Sequence, residues 1–574
     1  YGLQDTGGAA EWVCGLLHDM DLPCYSHTYY DISAAKPELR ASVYTVLEPA
    51  PGADGKECLV LTTSQDLSGP AEQLLDTPTF MGLSISLSIL KQLKNNVGWM
   101  SKRVILLIVD EQSQSVDVSR LHLGVKSFVD DYHLHTLDLL KRHQTDSTTM
   151  RSIRHSGVIR AAISLDLTGS FISPYMPVLA TGINGELPNM DLLNAAVHQL
   201  DRQGISVVLD RCSSSLDRTG HHSCADAAAA AEIAVSRLIP RSTRRSALQS
   251  YLDRLFTMLG FMGSVAMGPS GPHAHFLRHS IDALTIKSVD EGGRGGMEKG
   301  ACLKSLRGGT GALLSLVRNV SNLEEELHHS FFAYIMLSTK AFVSIGEYAY
   351  AMVLLLFPLA MQAGRLPRLY RDNTLFGAVL IVGTFEGFGA LLLLAVSLAP
   401  QVSAEVLRWY LNVATLMGYL LVVAVRLLVH PRRSTSPRLV SETNALLQWE
   451  GPIMVIACIM AYFCSVTALL NWPLAALLAL THGPMVVMAK PLRLSNPGSW
   501  CTLPCMLFSM PACWPLLFGA AAGRGSGGVE VILQWLRWYR VSGLMNVPLL
   551  CLLSIPAHLT AVFVLISPQG ARKK

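Results

Sequence analysis

The hydrophobic pattern changes character at one stretch, Ser321 to Gly364 (SNLEEELHHSFFAYIMLSTKAFVSIGEYAYAMVLLLFPLAMQAG). Before it, short apolar runs alternate with amphipathic stretches; after it, nearly every long window is apolar. In the first part, Val104–Asp110 (VILLIVD) is a continuous β-branched run, the mark of a strand covered on both faces. Tyr44–Glu48, Glu57–Thr63, Ala161–Leu167, Pro177–Thr181, Ser206–Asp210 and Asp282–Lys287 read as further strands. Helical candidates fall at Gly82–Leu93, Leu121–Tyr132, Asp191–Arg202 and Asp226–Leu238. Strands separated by helices predict a mainly parallel sheet with helices on both faces, so residues 1–320 are expected to form an α/β domain. Gly-rich Glu291–Gly311 and basic Pro240–Arg245 read as loops.

Residues 321–344 read as an interfacial linker or helix: a polar start with Glu324, Glu325 and Glu326, then Phe331, Phe332, Tyr334 and Ile335, suited to headgroup depth. Residues 345–574 are expected to form a membrane domain of about seven spans, at 345–364, 374–398, 405–429, 447–469, 471–489, 499–522 and 543–566. The fifth is interrupted by His482, Gly483 and Pro484 and reads as a candidate re-entrant segment.

Composition agrees with this division. The chain is 50% hydrophobic and only 15% charged, and the apolar excess lies past residue 330. The net charge of +4 is small and its basic residues are scattered without interleaved aromatics, which argues against nucleic acid. Arg365, Arg368 and Arg371 follow the first apolar segment, Arg432, Arg433 and Arg438 the third, Lys490 and Arg493 the fifth, and Arg572, Lys573 and Lys574 the seventh. Positive charge prefers the cytosolic side, so these ends are expected there and the α/β domain opposite. Arg524, Arg537 and Arg540, before the seventh segment, run against the alternation. The sequon Asn319-Val320-Ser321 falls on the α/β side and is a glycosylation candidate. The chain begins at Tyr1 without a leader pattern, so an upstream signal or anchor is expected. Cys14, Cys24, Cys58, Cys212, Cys224 and Cys302 lie in a compartment that permits disulfides. Cys212 and Cys224 are close enough to pair, among fifteen full pairings, while Cys58 reads as buried.

Chemistry in parallel α/β sheets gathers at the carboxyl ends of strands. Those ends carry Ser64-Gln65-Asp66, Asp110-Glu111 and Asp166, with His273 and His275 preceding the last strand. This order, with PHAHFLRHSIDALTIK, resembles the co-catalytic zinc aminopeptidase fold. The resemblance implies that Ser64 stands where that family has its first histidine, with Asp66 as the orienting carboxylate. It places Pro78 near the bridging aspartate, with Asp76 the nearest carboxylate, and Asp110, Glu111, Asp166 and His273 at the remaining positions. A zinc site needs about three or four protein ligands. One metal would keep only Asp166 and the other only Glu111 and His273, so these residues read as remnants of a degenerate metal site, with no metal and no cofactor expected.

TGINGELPNMDLLN (Thr181–Asn194), HFLRHSIDALTIK (His275–Lys287) and LHHSFFAYIMLSTKAFVSIGEYAY (Leu327–Tyr350) together resemble the glycosylphosphatidylinositol (GPI) anchor attachment subunits of GPI transamidase, from about Ala9 onward. Asn184, Gly185, Pro188, Asn189 and Asp191 carry the first of these motifs. The resemblance implies a non-catalytic subunit that recognises and presents the GPI lipid for attachment to proprotein C-termini in the endoplasmic reticulum membrane. The implied partners are other transamidase subunits, including the cysteine protease, together with the GPI lipid, the proprotein and the membrane. Asn184-Gly185 is a turn signal, and Asn189 can cap the helix that follows. In the membrane half, Glu386 lies mid-span in VGTFEGFGALLLL, where a carboxylate is costly unless paired or facing a polar cavity. It is the candidate lipid-binding residue, with a polar contact between helices as the competing reading. An active membrane-anchored zinc aminopeptidase and a transporter with an accessory domain are the alternatives.

Overall fold

Eight strands among the described residues hydrogen-bond into one mixed sheet, in the order β1-β2-β4-β3-β5-β8-β6-β7. The computed structural model describes residues 8–31, 38–53, 55–75, 77, 79–111, 121–141, 153–167, 175–209, 245–269, 271–288, 299–322, 333–367, 374–398, 403–429, 449–491, 504, 506, 510 and 528–567. Two compact units are present, Tyr1–Ser264 with Pro269–Val343, and Val265–Gly268 with Ser344–Lys574.

In the first unit the elements run α1 (Gly8–Asp19), β1 (Tyr25–Asp31), β2 (Glu38–Leu47), β3 (Glu57–Gln65), α2 (Ala71–Leu75), α3 (Phe80–Asn95), β4 (Arg103–Asp110), α4 (Leu123–Lys141), β5 (Val158–Asp166), β6 (Tyr175–Leu179), α5 (Met190–Arg202), β7 (Ser206–Leu209), α6 (Arg245–Met267), α7 (His273–Leu277), β8 (Asp282–Lys287), α8 (Lys299–Ser321), β9 (Tyr334–Ser338) and β10 (Ala341–Ser344). The central β4-β3-β5-β8 pairs are parallel, whereas β1-β2, β2-β4 and β6-β8 are antiparallel. The sheet is therefore mixed, because hydrogen-bonded neighbours run in opposite directions toward both edges.

Val104 to Val109 of β4 are wholly buried, as a doubly covered strand requires. Alternate residues explain how. Cys58 and Val60 of β3 and Ile105, Leu107 and Val109 of β4 form one core with Val125, Phe128, Val129 and Tyr132 of α4 and Phe276 of α7. The opposite pleat receives α3, where a Cβ on Gly82 would come within 2.9 Å of Thr63 Oγ1. Burying one large apolar side chain stabilises by roughly 1.5–3 kcal/mol, so this two-sided core fixes the carboxyl edge of the central strands.

Several expectations are corrected. The second half of the expected Glu291–Gly311 loop is helical, because α8 covers it. Ala312, Leu313, Leu316, Val317 and Val320 form its buried stripe. Its glycines approach α5 closely, with a Cβ on Gly308 3.5 Å from Gln203 O. Tertiary burial here outweighs a helix cost of about 1 kcal/mol per glycine. Tyr334 and Ile335 are not exposed side chains of an interfacial segment; they lie buried in β9, and β9 pairs with β10 in a hairpin. The helix at Asp226–Leu238, the Cys212–Cys224 pair and Pro240–Arg244 lie outside the described residues. Cys14 and Cys24 form a disulfide joining α1 to the start of β1, and Cys58 is buried.

The second unit is helical: α9 (Ile345–Ala363), α10 (Leu375–Leu398), α11 (Ala404–Val429), α12 (Glu450–Leu470), α13 (Trp472–Met488), α14 (Gly528–Ser542) and α15 (Asn546–Leu565). Among the described residues, five of these, α9 to α12 and α15, are long and apolar enough to cross a membrane. The segment read as re-entrant is the continuous 17-residue helix α13, with Pro484 inside it. Of the expected 499–522 segment only residues 504, 506 and 510 are described. Val265, Ala266 and Met267, the end of α6, belong to this second unit, and within it their backbone carbonyls accept hydrogen bonds from Asn471, Asn546 and Trp535.

Candidate functional site

At the carboxyl edge of the central sheet, Gln65 pairs with Asp110 and Asp166 with Lys287 in register, which brings the strand-end carboxylates onto one rim. Each is already used by the protein. Asp110 accepts from Leu67 N and Ser68 Oγ, both at 2.8 Å, with Arg40 Nη1 3.7 Å away. Burial pushes its carboxyl above the usual carboxylate range, against the opposing pull of those donors and of Arg40. Glu111 Oε2 accepts from Ser64 Oγ at 3.0 Å and lies 3.1 Å from His122 Nδ1. Asp66 accepts from Ser68 N, closing a local turn, and Asp166 faces Lys287 Nζ at 3.4 Å.

His273 is fully buried, and both of its ring nitrogens are committed. Nε2 donates to the carbonyl of Thr181 at 3.1 Å, which leaves Nδ1 to accept from Thr285 Oγ1 at 2.8 Å. Burial lowers its pKa to about 3, so it is neutral near pH 7. His275 is held likewise by Leu121 O at 2.7 Å, with burial lowering its pKa to about 4. Asp76 and Pro78 lie outside the described residues. The described residues do not fit the zinc pair of the aminopeptidase fold. Where the resemblance sets an imidazole stands the Ser64 hydroxyl, which donates to Glu111; His273 has both ring nitrogens engaged, Asp166 is ion-paired, and no group of three metal-binding side chains assembles among the described residues.

Thr181–Asn194 builds a junction. Asn184 (φ 56°) and Gly185 (φ 88°) are both left-handed, the reason Asn-Gly stands there. Gly182 N donates to Glu186 O, closing the turn, and a Cβ on Gly182 would meet Leu277 at 2.8 Å. Pro188 O accepts from Tyr334 Oη at 3.0 Å, and Asn189 N donates to Asp282 Oδ1 at 2.8 Å. Asn189 Oδ1 caps α5 by accepting from Asp191 N at 2.9 Å. The motif thus ties α5, β8 and β9 together. Asn319 is exposed in the last turn of α8, while Ser321 is buried, its Oγ accepting from Lys102 N.

In the helical unit, Glu386 lies midway along α10, and its Oε1 is buried with no hydrogen-bond partner among the described residues. A second polar group was not singled out by the sequence reading. His482 Nε2 meets Ser554 Oγ at 2.7 Å, and Tyr419 Oη meets His558 Nε2 at 3.2 Å. Ser554 and His558 are four residues apart and so share one face of α15, a spacing that was readable. Leu550–Ser554 forms a π turn there, and α10 approaches it so closely that a Cβ on Gly389 would stand 2.1 Å from Cys551 O.

The family model described as Gaa1-like, GPI transamidase component, matches residues 41–562. The chain belongs to this family. The Gaa1-like match takes in the strand-end rim, the Thr181–Asn194 junction, Glu386 and the His482–Ser554 pair, while α1 and β1 precede it. The chain is similar to the GPI transamidase component gaa1 of Schizosaccharomyces pombe, 27% identical over 338 residues, 58% of this chain and 48% of the relative. It is also similar to GAA1 of Saccharomyces cerevisiae, 24% identical over 359 residues, 61% of this chain and 47% of that one. The chain thus spans about half the length of the curated relatives it matches. Solved structures that resemble it include the Legionella pneumophila LapA aminopeptidase (TM-score 0.30, 11% identity, 55% of this chain and 66% of that chain). The Fimbriiglobus ruber glutaminyl cyclase is another (TM-score 0.30, 11% identity, 54% and 85%).

Proposed function

We propose that this Gaa1-like chain is a non-catalytic subunit of GPI transamidase that recognises the GPI lipid and presents it for attachment to proprotein C-termini. In this reading the cysteine protease is another chain of the complex, the complex sits in the endoplasmic reticulum membrane, and the α/β unit is luminal. Family membership supports the subunit role. The committed donors of the strand-end rim argue against an independent metallopeptidase.

The observation that carries lipid recognition is Glu386 Oε1, buried and without a partner among the described residues, halfway along an apolar helix. A carboxylate at that depth is costly and marks a functional position. The lipid's acyl chains favour the bilayer by about 0.8 kcal/mol per CH₂, so a groove among membrane helices holds the anchor far more cheaply than a water-filled pocket that must extract them. For Glu386 to meet an amine of the anchor's glycan or ethanolamine, the groove must admit part of the headgroup below phosphate depth, where the carboxylate is the anion such an amine needs. Glu386→Leu is expected to weaken GPI retention by the purified complex while assembly stays largely intact. Lost assembly with normal GPI binding by the residual complex would make Glu386 a contact between subunits, and no effect on either would remove it from lipid recognition.

A further inference from the structure

A second ionisable group is buried in the helical unit and unused by lipid recognition at Glu386. Arg426 of α11 is only 9% exposed, and its Nη1 is buried with no hydrogen-bond partner among the described residues. The next two residues, Leu427 and Leu428, are 69% and 85% exposed. The usual arrangement is reversed: the cation turns into the helix packing while its apolar neighbours face outward. A guanidinium cannot shed its charge, so at this position it needs an anion. α11 packs on α10, α14 and α15, and the carboxylates described on these four helices are Glu386, Glu405 and Glu530. None is ion-paired with Arg426.

Depth and side narrow the choice of anion. α11 has 26 residues. Such a helix is about 39 Å long against a hydrocarbon core of about 30 Å, so each end runs some 4–5 Å into the headgroup layer. Arg426 is three residues before the helix end at Val429. It therefore sits about 4.5 Å inside that end, at the edge of the hydrocarbon, where a long side chain reaches the lipid phosphates just beyond. Counted from Ile345, this end is reached after three spans, so it is the face opposite the start of α9. It is also the end from which Arg432, Arg433 and Arg438 follow. Exposed Leu416, Leu420, Val423, Leu427 and Leu428 along α11 offer a track for acyl chains leading away from the guanidinium.

We propose that Arg426 is the anchor of a binding site for an anionic phospholipid in the leaflet at the basic ends of the spans, with the fork of the guanidinium on the phosphodiester. The planar fork matches phosphate oxygens in pairs, and a headgroup without its own ammonium leaves that phosphate's charge uncompensated. The site is distinct from Glu386, which lies mid-span.

The test uses the whole complex, purified in mild detergent and reconstituted into nanodiscs of phosphatidylcholine with phosphatidylinositol or phosphatidylglycerol. After stripping, the acidic phospholipid retained per complex is measured by native mass spectrometry. Wild-type complex is expected to retain an acidic phospholipid, Arg426→Gln to lose it by about tenfold, and Arg426→Lys to lose it partially. Equal retention by all three overturns the proposal. So does loss of a partner subunit with lipid retention unchanged, which would assign the guanidinium to a protein carboxylate. Should Arg426→Gln fail to assemble, a photoactivatable phosphatidylinositol in wild-type complex decides: cross-links in residues 416–429 support the site, and labelling confined elsewhere overturns it.

Discussion

His273 and His275 sit neutral inside the α/β unit because burial holds their pKa values at about 3 and about 4, below the ordinary value of 6.5. The folded values are depressed, so their contribution to stability is full above pH ~6.5 and is lost as pH falls toward the folded values, at up to about 1.4 kcal/mol per pH unit for each histidine. Thermal unfolding of the purified complex is expected to shift downward from about pH 7 to about pH 5, and His273→Gln to flatten part of that shift. An unchanged slope in the variant would show that His273 does not titrate on unfolding. The same engaged imidazole bears on metal: we expect no stoichiometric zinc pair on this chain, because His273 and Asp166 already have partners. Metal analysis that found tightly held zinc, lost when both residues are replaced, would overturn this. At Gly389 the argument is steric. A Cβ 2.1 Å from a backbone carbonyl forces α10 and the π turn apart. Gly389→Val is expected to cost about 1–3 kcal/mol and lower the yield of assembled complex, and normal yield and melting would contradict the close packing.

At the scale of elements, strands whose residues are nearly all apolar declare themselves. β4 (RVILLIVD) was legible because a doubly covered strand is β-branched or aliphatic nearly throughout, and β3, β5 and β8 through the shorter apolar runs CLVL, AAI and ALTI within them. β1 was not: Tyr25–Asp31 reads YSHTYYD, an edge strand with polar groups on one face, and its pairing with β2 is a long-range fact. α8 was hidden by its glycines, which pay off only once Gln203 of the neighbouring chain segment is in place. The site shows the same split. The strand-end carboxylates could be placed on one rim from topology alone, but no spacing announces their partners Arg40, His122 and Lys287, nor Thr285 as the partner of His273. Disulfide choice was equally hidden, since fifteen pairings were open and the observed one joins cysteines ten residues apart. Closing so short a loop is worth about 3 kcal/mol in the chain-entropy account. Cys14→Ser with Cys24→Ser is expected to destabilise the α/β unit by that order in denaturant melts of the oxidised protein, and a midpoint equal to wild type would show that α1 is held by packing alone.

For the whole molecule the open quantity is the parity of membrane crossings. Five described helices are long enough to span. α13, at 17 residues, is the marginal case. Its length of about 26 Å falls short of the ~30 Å hydrocarbon core but lies within the range of real spans. If α13 and the 499–522 segment both cross, the chain makes seven passes from Ile345, and the two ends of this half emerge on opposite sides. If only one of them crosses, the ends emerge on the same side. Charge favours opposite sides: the basic connections follow the first, third, fifth and seventh segments. The exception has a local explanation in part, since Arg540 donates through Nη2 to Val396 O at 3.0 Å, in the last turn of α10, where the helix dipole welcomes a cation. That arginine is held by a helix end and carries less weight as a signal for the cytosolic face. We therefore expect the α/β unit to be luminal and the Lys574 end cytosolic. Protease treatment of sealed microsomes reads this directly with an epitope near residue 220 and another after Lys574. The first is expected to survive until detergent is added, and the second to be lost at once. Loss of the first with membranes intact would overturn the luminal assignment, whereas protection of both would show that one of the two marginal segments does not cross.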